Sequence, residues 1–316
     1  MQLTDAQLAF YDTNVLKIPK DKRKEFLRQV DYLIARLQAK IDGDTGFWVK
    51  RFRKTGSLMK GTVLRPKGDY QADADVAVEL DISEAEKADV EAMHAIIRKL
   101  LIAVYPQKNE EDFEVQPRTL GIEFMDSGLC VDLVPVVPIE SEPGYAWQPS
   151  SRGEPAVKTN IQGQLDFIRA RHKRDARFRP TVRIIKGWKR FQELNISSFA
   201  IELLVSHLLD ERGVPASLED SVIRFFLYVA QSELKEKVAF AENGIVSSWP
   251  NDPVVILDPV NAENNITRRL MEIERAEVVA MARQAWECLS TARRREAKGE
   301  TVELWRQVFG RSFRIE

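Results

Sequence analysis

The stretch TGSLMKGTVLRPKGDYQADADVAVEL, residues 55–80, joins a Gly-Ser pair to a strand-like run that contains two aspartates, Asp73 and Asp75. Side chains alternate along a β-strand, so both carboxylates lie on one face and the apolar residues beside them lie on the other. Carboxylates side by side repel each other, and burying them without a positive partner is costly. The run therefore predicts a strand with one packed face and one face that presents carboxylates.

Mg²⁺ suits this pair because it is a hard ion that prefers oxygen ligands and completes its coordination shell with water and phosphates. Two alternatives to metal binding remain open for an Asp-x-Asp pair taken alone. Both carboxylates could be exposed to solvent, or nearby arginines could neutralise them.

A third carboxylate stands in the run LCVDLVPVV, residues 129–137, where Asp132 is the one charged residue in a pattern typical of an interior strand. Such an aspartate needs a partner, which could also be an arginine or a helix end. Together with Asp73 and Asp75, it would make a site for two divalent ions about 4 Å apart, the arrangement that promotes phosphoryl displacement.

The Gly-Ser pair, Gly56 and Ser57, suggests the complementary part of such a site. Glycine lets the backbone approach closely, and a serine at the start of a helical turn, followed by Lys60, would direct N–H groups, a hydroxyl and an ammonium toward a phosphate. Gly-Ser pairs also occur in ordinary turns. The order of residues that defines a Walker loop is absent.

The composition of the chain limits its class. It has 316 residues, 44% of them hydrophobic and 30% charged, which is typical of a globular protein with a sizeable core. Two cysteines are too few for a disulfide framework, and with only three histidines beside them and no Cys-x-x-Cys pair we expect no four-ligand zinc site. No apolar run reaches the ~18 residues of a membrane span, and no signal peptide is present, so we expect a cytoplasmic protein.

Charge is unevenly distributed along the chain. The net charge of −1 argues against a wholly basic coat for nucleic acid, but residues 169–190 hold ten Lys or Arg against one acid, Asp175. This density could line a groove for polyphosphate, or make non-specific contact with RNA or DNA, or be a solvated helix face. Sequence-specific DNA binding is not expected.

Apolar periodicity predicts an α+β fold in two parts. Residues 1–158 indicate a mixed β-sheet core with an N-terminal helix, and residues 159–316 a helical lobe, with the Pro- and Gly-rich stretch 139–158 at the boundary. Predicted helices cover residues 20–41, 87–104, 160–172, 180–193, 198–210, 217–237 and 267–295, and predicted strands cover residues 73–80, 113–125 and 129–137.

These motifs, in this order, resemble the DNA polymerase β-type nucleotidyltransferase superfamily. Within it, the chain is most similar to the cGAS/DncV-like nucleotidyltransferases (CD-NTases) of bacterial CBASS anti-phage systems. The likeness runs from about Phe52 to the end of the chain. It rests on GSLMKGT (56–62), DADVAV (73–78), GLCVDLVPVV (128–137), SSFAIELL (197–204), ILDPVNAENNITRR (256–269) and WRQVFGRSF (305–313).

The resemblance implies a bilobal enzyme that makes a cyclic oligonucleotide, such as cyclic tri-adenylate, from ATP and from other NTPs where the pocket admits them. The branch that this chain most resembles is controlled by HORMA-domain partner proteins. The helical lobe would close the nucleotide cleft, and two Mg²⁺ ions, replaceable by Mn²⁺, would serve as cofactors.

The resemblance also implies roles for single residues. Asp73, Asp75 and Asp132 would be the catalytic metal ligands, and Asp132 would also help to deprotonate the attacking ribose hydroxyl. The nucleotide-binding residues would be Gly56, Ser57 and Lys60, then Lys186 and Ser198 for the β- and γ-phosphates, and Asn265, with Asn264, for a base edge. The gap between Ser57 and Asp73 is longer than is usual in the superfamily, which leaves Asp69 open as a competing ligand.

Two other functions remain open at this point. One is a transferase on the same core that makes linear products or modifies RNA or protein. The other is a non-catalytic regulator that keeps the fold, which the intact Gly56, Ser57 and three aspartates argue against.

Overall fold

The computed structural model describes residues 1–43, 48–68, 70–82, 90–108, 113–115, 119–124, 127–149 and 156–316. Contacts among these residues group the chain into two units. The sheet unit is Ile18–Leu165, and the helical unit combines Met1–Lys17 with Asp166–Glu316. The sequence analysis placed the division after residue 158 and the N-terminal segment with the core. The contacts instead place residues 1–17 in the helical unit.

The helices and strands are numbered in chain order. The helices are α1 (Asp5–Tyr11), α2 (Lys20–Asp42), α3 (Gly56–Lys60), α4 (Val90–Val104), α5 (Ile161–Arg174), α6 (Phe178–Phe191), α7 (Ser198–Arg212), α8 (Leu218–Ser232), α9 (Glu272–Arg294) and α10 (Lys298–Phe309). The strands are β1 (Val49–Thr55), β2 (Ala72–Leu80), β3 (Phe113–Val115), β4 (Leu120–Phe124), β5 (Leu129–Pro138), β6 (Ala146–Gln148), β7 (Val157–Thr159), β8 (Leu257–Asp258) and β9 (Asn261–Asn265). The predicted α+β class is confirmed.

The sheet is mixed, with the strand order β1-β2-β5-β4-β3. The two strands that carry the aspartates, β2 and β5, are neighbours and run parallel, whereas β1 pairs with β2 and β4 pairs with β5 in the antiparallel sense. Beyond the aspartates, β5 continues into a short antiparallel extension with β6 and β7. Asp73, Asp75 and Asp132 therefore lie in the middle of the sheet.

One face of this sheet is covered by α2 and α4. Apolar residues recur along α2 at helical spacing and form a single buried stripe, as expected for a helix that packs on a sheet. The stripe meets apolar residues of α4 and the alternate side chains of β2 and β5 that point away from the aspartates. The buried cluster includes Phe26, Val30, Leu33, Leu37, Ala74, Val76, Val78, Met93, Ile97, Leu101, Val131 and Leu133.

The helical unit has a core of aromatic rings. Trp188 of α6 packs edge-to-face against Phe226 of α8, with ring centroids 4.9 Å apart. Near the chain end, Trp305 of α10 stacks on Phe313 at 5.1 Å, and the ring of Tyr11 lies 4.7 Å from that of Phe313. Among the described residues, no helix combines the length and the apolar character that crossing a membrane requires.

Two helices of this unit differ from their predictions by five residues at one end, more than the others do. The helix predicted from Thr267 begins at Glu272, because the preceding residues form β9 and a turn. The helix predicted to continue to residue 237 ends at Ser232, where Glu233 and Leu234 adopt positive φ angles of 51° and 56°. That conformation breaks the right-handed helix.

The N-terminal segment is fixed to the helical unit by buried polar contacts. The guanidinium of Arg183 on α6 donates to both carboxylate oxygens of Asp12, at 2.7 and 2.6 Å, and both side chains are almost fully buried. The backbone N–H of Leu3 donates to Glu219 at 3.1 Å, and that of Leu218 donates to Asp5 at 2.6 Å. These contacts explain why residues 1–17 group with the second half of the chain.

The basic run, residues 169–190, is largely paired with acids inside the helical unit. Besides Arg183 with Asp12, the pairs are Arg171 with Asp210 and Glu242, Arg174 with Asp210, Arg177 with Asp175 and Asp5, and Lys186 with Glu202. Several of the acids come from segments distant in sequence. At these positions, the charge density in the sequence reflects ion pairs inside the helical unit.

We expect the substitution Asp12→Asn to lower the free energy of unfolding by about 3 kcal/mol, because it leaves the Arg183 guanidinium buried without its anion. Urea unfolding followed by circular dichroism measures this change. The control is Glu303→Gln, which removes the acid of an exposed pair with Arg306 on α10 and should change the free energy by less than about 0.5 kcal/mol. Equal effects of the two substitutions would contradict the structural role of the buried pair.

Candidate active site

The pairing of β2 with β5 brings the three aspartates together. Asp75 is the direct partner of Asp132, and Asp73 is the partner of Cys130. Partners on neighbouring strands point to the same face, and the strands lie about 4.8 Å apart. Asp73 is exposed, and Asp75 and Asp132 are half-buried. All three carboxylates thus lie on the face of the sheet that α2 and α4 leave uncovered.

Gly56 closes one side of this group. β1 ends at Thr55, which pairs with Asp75, so Gly56 lies beside that aspartate. Its φ angle is +70°, in the left-handed region that favours glycine. A Cβ atom built on Gly56 would overlap the Asp75 carboxylate and lie 2.9 Å from the Asp75 Cβ. The backbone here approaches the carboxylate more closely than any residue with a side chain allows.

Ser57 and Lys60 lie on the short helix α3 that follows. Ser57 is half-buried, and its carbonyl accepts a hydrogen bond from the N–H of Thr62 at 3.0 Å, which closes the turn. Lys60, which the sequence analysis expected to direct its ammonium toward a phosphate, is 7% exposed. The structure thus places the Ser57 turn directly after Gly56 and its contact with Asp75.

The same face of the sheet carries groups that the sequence analysis missed. Glu123 of β4 is the partner of Cys130, which places its carboxylate in the same row as Asp73. Further along the face, the nearly buried Glu79 accepts hydrogen bonds from Arg51 at 2.5 Å and Arg53 at 2.6 Å. Only the strand register reveals these neighbours, because neither the spacing nor the composition of β4 singles out Glu123.

The carboxylates have the donor chemistry that a divalent cation requires. Three hard oxygen donors from two adjacent strands suit Mg²⁺ or Mn²⁺ better than a soft metal. Across the described part of the chain, no group of three or more His, Cys, Asp or Glu side chains is already arranged to hold an ion. The strand register therefore places the three aspartates on one face of the sheet, as the residues that would hold an ion. Asp69 lies outside the described residues.

Lys186 and Ser198 both lie in the helical unit, on α6 and α7. Lys186 of α6 is 4% exposed and its Nζ lies 2.8 Å from Glu202 Oε1 on α7, in a buried ion pair. Ser198 is the first residue of α7, one turn before Glu202. The N-cap is its neighbour Ser197, whose hydroxyl accepts from the Ala200 N–H at 2.9 Å, and Ser198 itself is exposed. Glu202 was missed, although it is the one acid between residues 198 and 209.

Asn265 has a role different from the one predicted. Its Oδ1 accepts from the N–H groups of Ile256 and Thr267, both at 3.0 Å. Its Nδ2 donates to Asp252 and to the Val254 carbonyl, both at 2.8 Å. With the side chain 5% exposed and both amide hydrogens used, the residue joins β9 to the loop before β8 instead of presenting its amide to a base. Asn264 is half-buried and donates to Asp258 at 3.1 Å.

Two relatives match the chain along nearly its whole length. The CBASS oligonucleotide cyclase CdnC of Escherichia coli (strain KTE188) is 38% identical over 100% of this chain and 99% of the relative. The Cyclic AMP-AMP-AMP synthase of Escherichia coli (strain MS 115-1) is 30% identical over 97% of this chain and 96% of the relative. No family model matches the sequence.

Solved structures agree with these relatives. Structures of E. coli MS115-1 CdnC with ATP and in a CdnC:HORMA-deltaN complex are each 29% identical, with TM-scores of 0.85 over 99% of this chain and at least 98% of theirs. Vibrio cholerae DncV in its GTP-bound form shares the fold, with a TM-score of 0.72 at 10% identity over 99% of this chain and 96% of that one. The resemblance drawn from the motifs is confirmed: the chain belongs to the CdnC family of CBASS oligonucleotide cyclases, nucleotidyltransferases with the cGAS/DncV-like fold.

Proposed function

We propose that this enzyme joins ATP molecules into a cyclic oligoadenylate, cyclic tri-adenylate, as a second messenger in anti-phage defence. The observation that carries the proposal is the pairing of Asp75 with Asp132, with Asp73 on the same face and the Gly56 backbone against Asp75. Two relatives support the choice of substrate and product. One is named for cyclic AMP-AMP-AMP synthesis, and a structural neighbour was solved with ATP.

Nucleotidyltransferases of this family generally use divalent metals, and the three aspartates are the residues that would hold them, as two Mg²⁺ ions for which Mn²⁺ can substitute. Bound there, the ions would neutralise charge on the reacting phosphate and favour the ionised form of the attacking hydroxyl. The metal ligands therefore all belong to the sheet unit.

The chain's own residues bind the nucleotides and accept the proton. Ser57 holds the donor triphosphate, and Lys186 and Ser198 bind its β- and γ-phosphates. Asp132 accepts the proton of the acceptor ribose hydroxyl. The hydroxyl oxygen then forms a bond to the α-phosphorus of the donor. The bond from that phosphorus to the oxygen bridging the α- and β-phosphates breaks, and pyrophosphate leaves. Placement and charge complementarity supply most of the rate enhancement in such a transfer. A last transfer within the linear product closes the ring.

We assign the metal chemistry to residues 1–158 and the binding of the β- and γ-phosphates to residues 159–316, with the functional division near residue 158. We also propose a HORMA-domain protein as the regulatory partner, because a structural neighbour was solved as a CdnC:HORMA-deltaN complex.

The proposed activity predicts a phosphatase-resistant product from ATP. The purified chain, with and without a cognate HORMA protein, is incubated with each labelled NTP and Mg²⁺ or Mn²⁺, treated with phosphatase and examined by mass spectrometry. We expect a ring of three AMP units from ATP. Linear products, or label attached to RNA or protein, would favour the alternative transferase, and the absence of pyrophosphate release under every condition would refute catalysis.

We expect Asp132→Asn to lower pyrophosphate release by roughly 10³-fold or more, because a metal ligand and the proton acceptor are lost together. The midpoint of thermal unfolding should stay close to that of the wild type, because asparagine has nearly the same volume and shape as the aspartate it replaces. The control is Asp81→Asn just beyond β2, where an exposed aspartate pairs with Lys50 at 3.5 Å. Turnover retained by Asp132→Asn would exclude this residue from the mechanism.

We expect Gly56→Ala to reduce turnover by about 10²-fold, because the new Cβ must displace the Asp75 carboxylate and a misplacement of about 1 Å has that cost. Gly68→Ala is a matched control. Gly68 also has a positive φ, of +58°, but no atom lies within 4 Å of the position that an added Cβ would take. Both variants bear the strain of a left-handed alanine, so a turnover loss confined to Gly56→Ala isolates the contact with Asp75.

A further inference from the structure

Glu202 stands out on α7 as a fully buried acid in an apolar helix. Its side chain is 1% exposed, and the residues on either side of it along the helix, Ile201 and Leu203, are fully buried as well. Its Oε1 accepts from the Lys186 ammonium at 2.8 Å, and the Lys186 side chain is 5% exposed. The helical unit therefore contains a Lys–Glu ion pair between α6 and α7 that is almost completely buried from solvent.

Such a pair is a poor way to stabilise a core. Removing two charges from water costs free energy that their attraction only partly recovers, and apolar residues of similar volume at both positions are often as stable or more stable. In some proteins such a pair fixes a geometry that apolar packing does not specify. What separates the Lys186–Glu202 pair from the equally buried Asp12–Arg183 pair is its position one turn after the start of α7.

The geometry of α7 indicates that role. Residues four apart on a helix lie on the same face, so Ser198 and Glu202 are neighbours one turn apart, about 6 Å along the axis. Helix side chains lean toward the N-terminus, so the Glu202 carboxylate covers the turn that begins at Ser198. The ammonium that it holds is thereby directed toward the first turn of α7. The positive end of a helix favours anions there.

We propose that Glu202 is a positioning residue that fixes the Lys186 ammonium beneath the Ser198 turn, so that the lysine and the serine together bind the β- and γ-phosphates of the donor nucleotide. This inference rests on the proposed function, in which Lys186 and Ser198 contact the triphosphate. Glu202 acts through Lys186 and touches no substrate atom itself. The Lys186 ammonium and the Ser198 hydroxyl together favour an anionic ligand.

The first test is the kinetic effect of Glu202→Gln. This change keeps the volume and an acceptor oxygen but removes the charge that holds the ammonium. We expect KM for ATP, from pyrophosphate release with Mg²⁺, to rise about tenfold, with a smaller change in kcat, because a charge-assisted bond is replaced by a weaker one. Glu202→Asp, which keeps the charge but retracts it by one methylene, should raise KM as well and serves if Glu202→Gln does not fold. An unchanged KM in the folded variant would overturn the proposal.

A coupling measurement separates positioning from general destabilisation. In a Lys186→Met background, adding Glu202→Gln should raise KM for ATP no further, because Glu202 acts only through Lys186. If Glu202→Gln raised KM for ATP by the same factor in the wild-type and Lys186→Met backgrounds, Glu202 would not act through Lys186. Asp12→Asn is the matched control: it disturbs the other buried pair of α6, with Arg183, and should lower the unfolding midpoint while KM for ATP stays the same.

Calorimetric titration with inorganic tripolyphosphate makes the result independent of catalysis. Weaker binding by Glu202→Gln or Glu202→Asp than by the wild type supports the proposal, and equal affinity contradicts it. If the wild-type protein releases no pyrophosphate from ATP, the proposed function fails while this titration still decides the role of Glu202. If the wild type makes a linear product, the KM comparison remains valid.

Discussion

The parallel pairing of β2 with β5 is the interaction on which the functional site depends. Parallel neighbours cannot be joined by a tight turn, and here α4, β3 and β4 lie between them in sequence. The pairing sets Asp132 opposite Asp75. A slip of one residue would turn Asp132 toward the apolar layer of α2 and α4 and expose Leu133 in its place. The core and the carboxylate face therefore depend on the same strand register, because a shift of one residue would disrupt both.

Much of the fold was predictable because local periodicity is a direct consequence of burial. The stripe of apolar residues on α2 and the alternation along β2 can be read without knowing what packs against them. Short elements gave no comparable signal: α1 has seven residues, β8 has two, and β9 is made mostly of asparagines. Their conformations depend on contacts with distant segments. The grouping of the aspartates was predicted from their chemistry, whereas the neighbouring Glu123 required the strand register.

Charged residues were the hardest to interpret, for the same reason. A segment with ten basic residues among 22 resembles a binding surface when several of the acids that pair with it are far away in sequence. Asp12 lies 171 residues from Arg183, and Glu242 lies 71 from Arg171, so no local window contains these pairs. Glu202 could have been found from sequence, as a lone acid in an apolar helix. Asn265 could not, because an asparagine in a loop and one that joins buried strands look alike.

The position of residues 1–17 in the helical unit also bears on how the chain is made. A ribosome delivers the first turns of that unit before any of the sheet, but their partners on α6 and α8 emerge only after residue 165. The sheet unit can therefore fold first during synthesis. Until α6 and α8 are made, the apolar side chains of the N-terminal segment are exposed to solvent. Contacts between segments so far apart in sequence form late in folding, because the entropy of closing a long loop must be lost before they form.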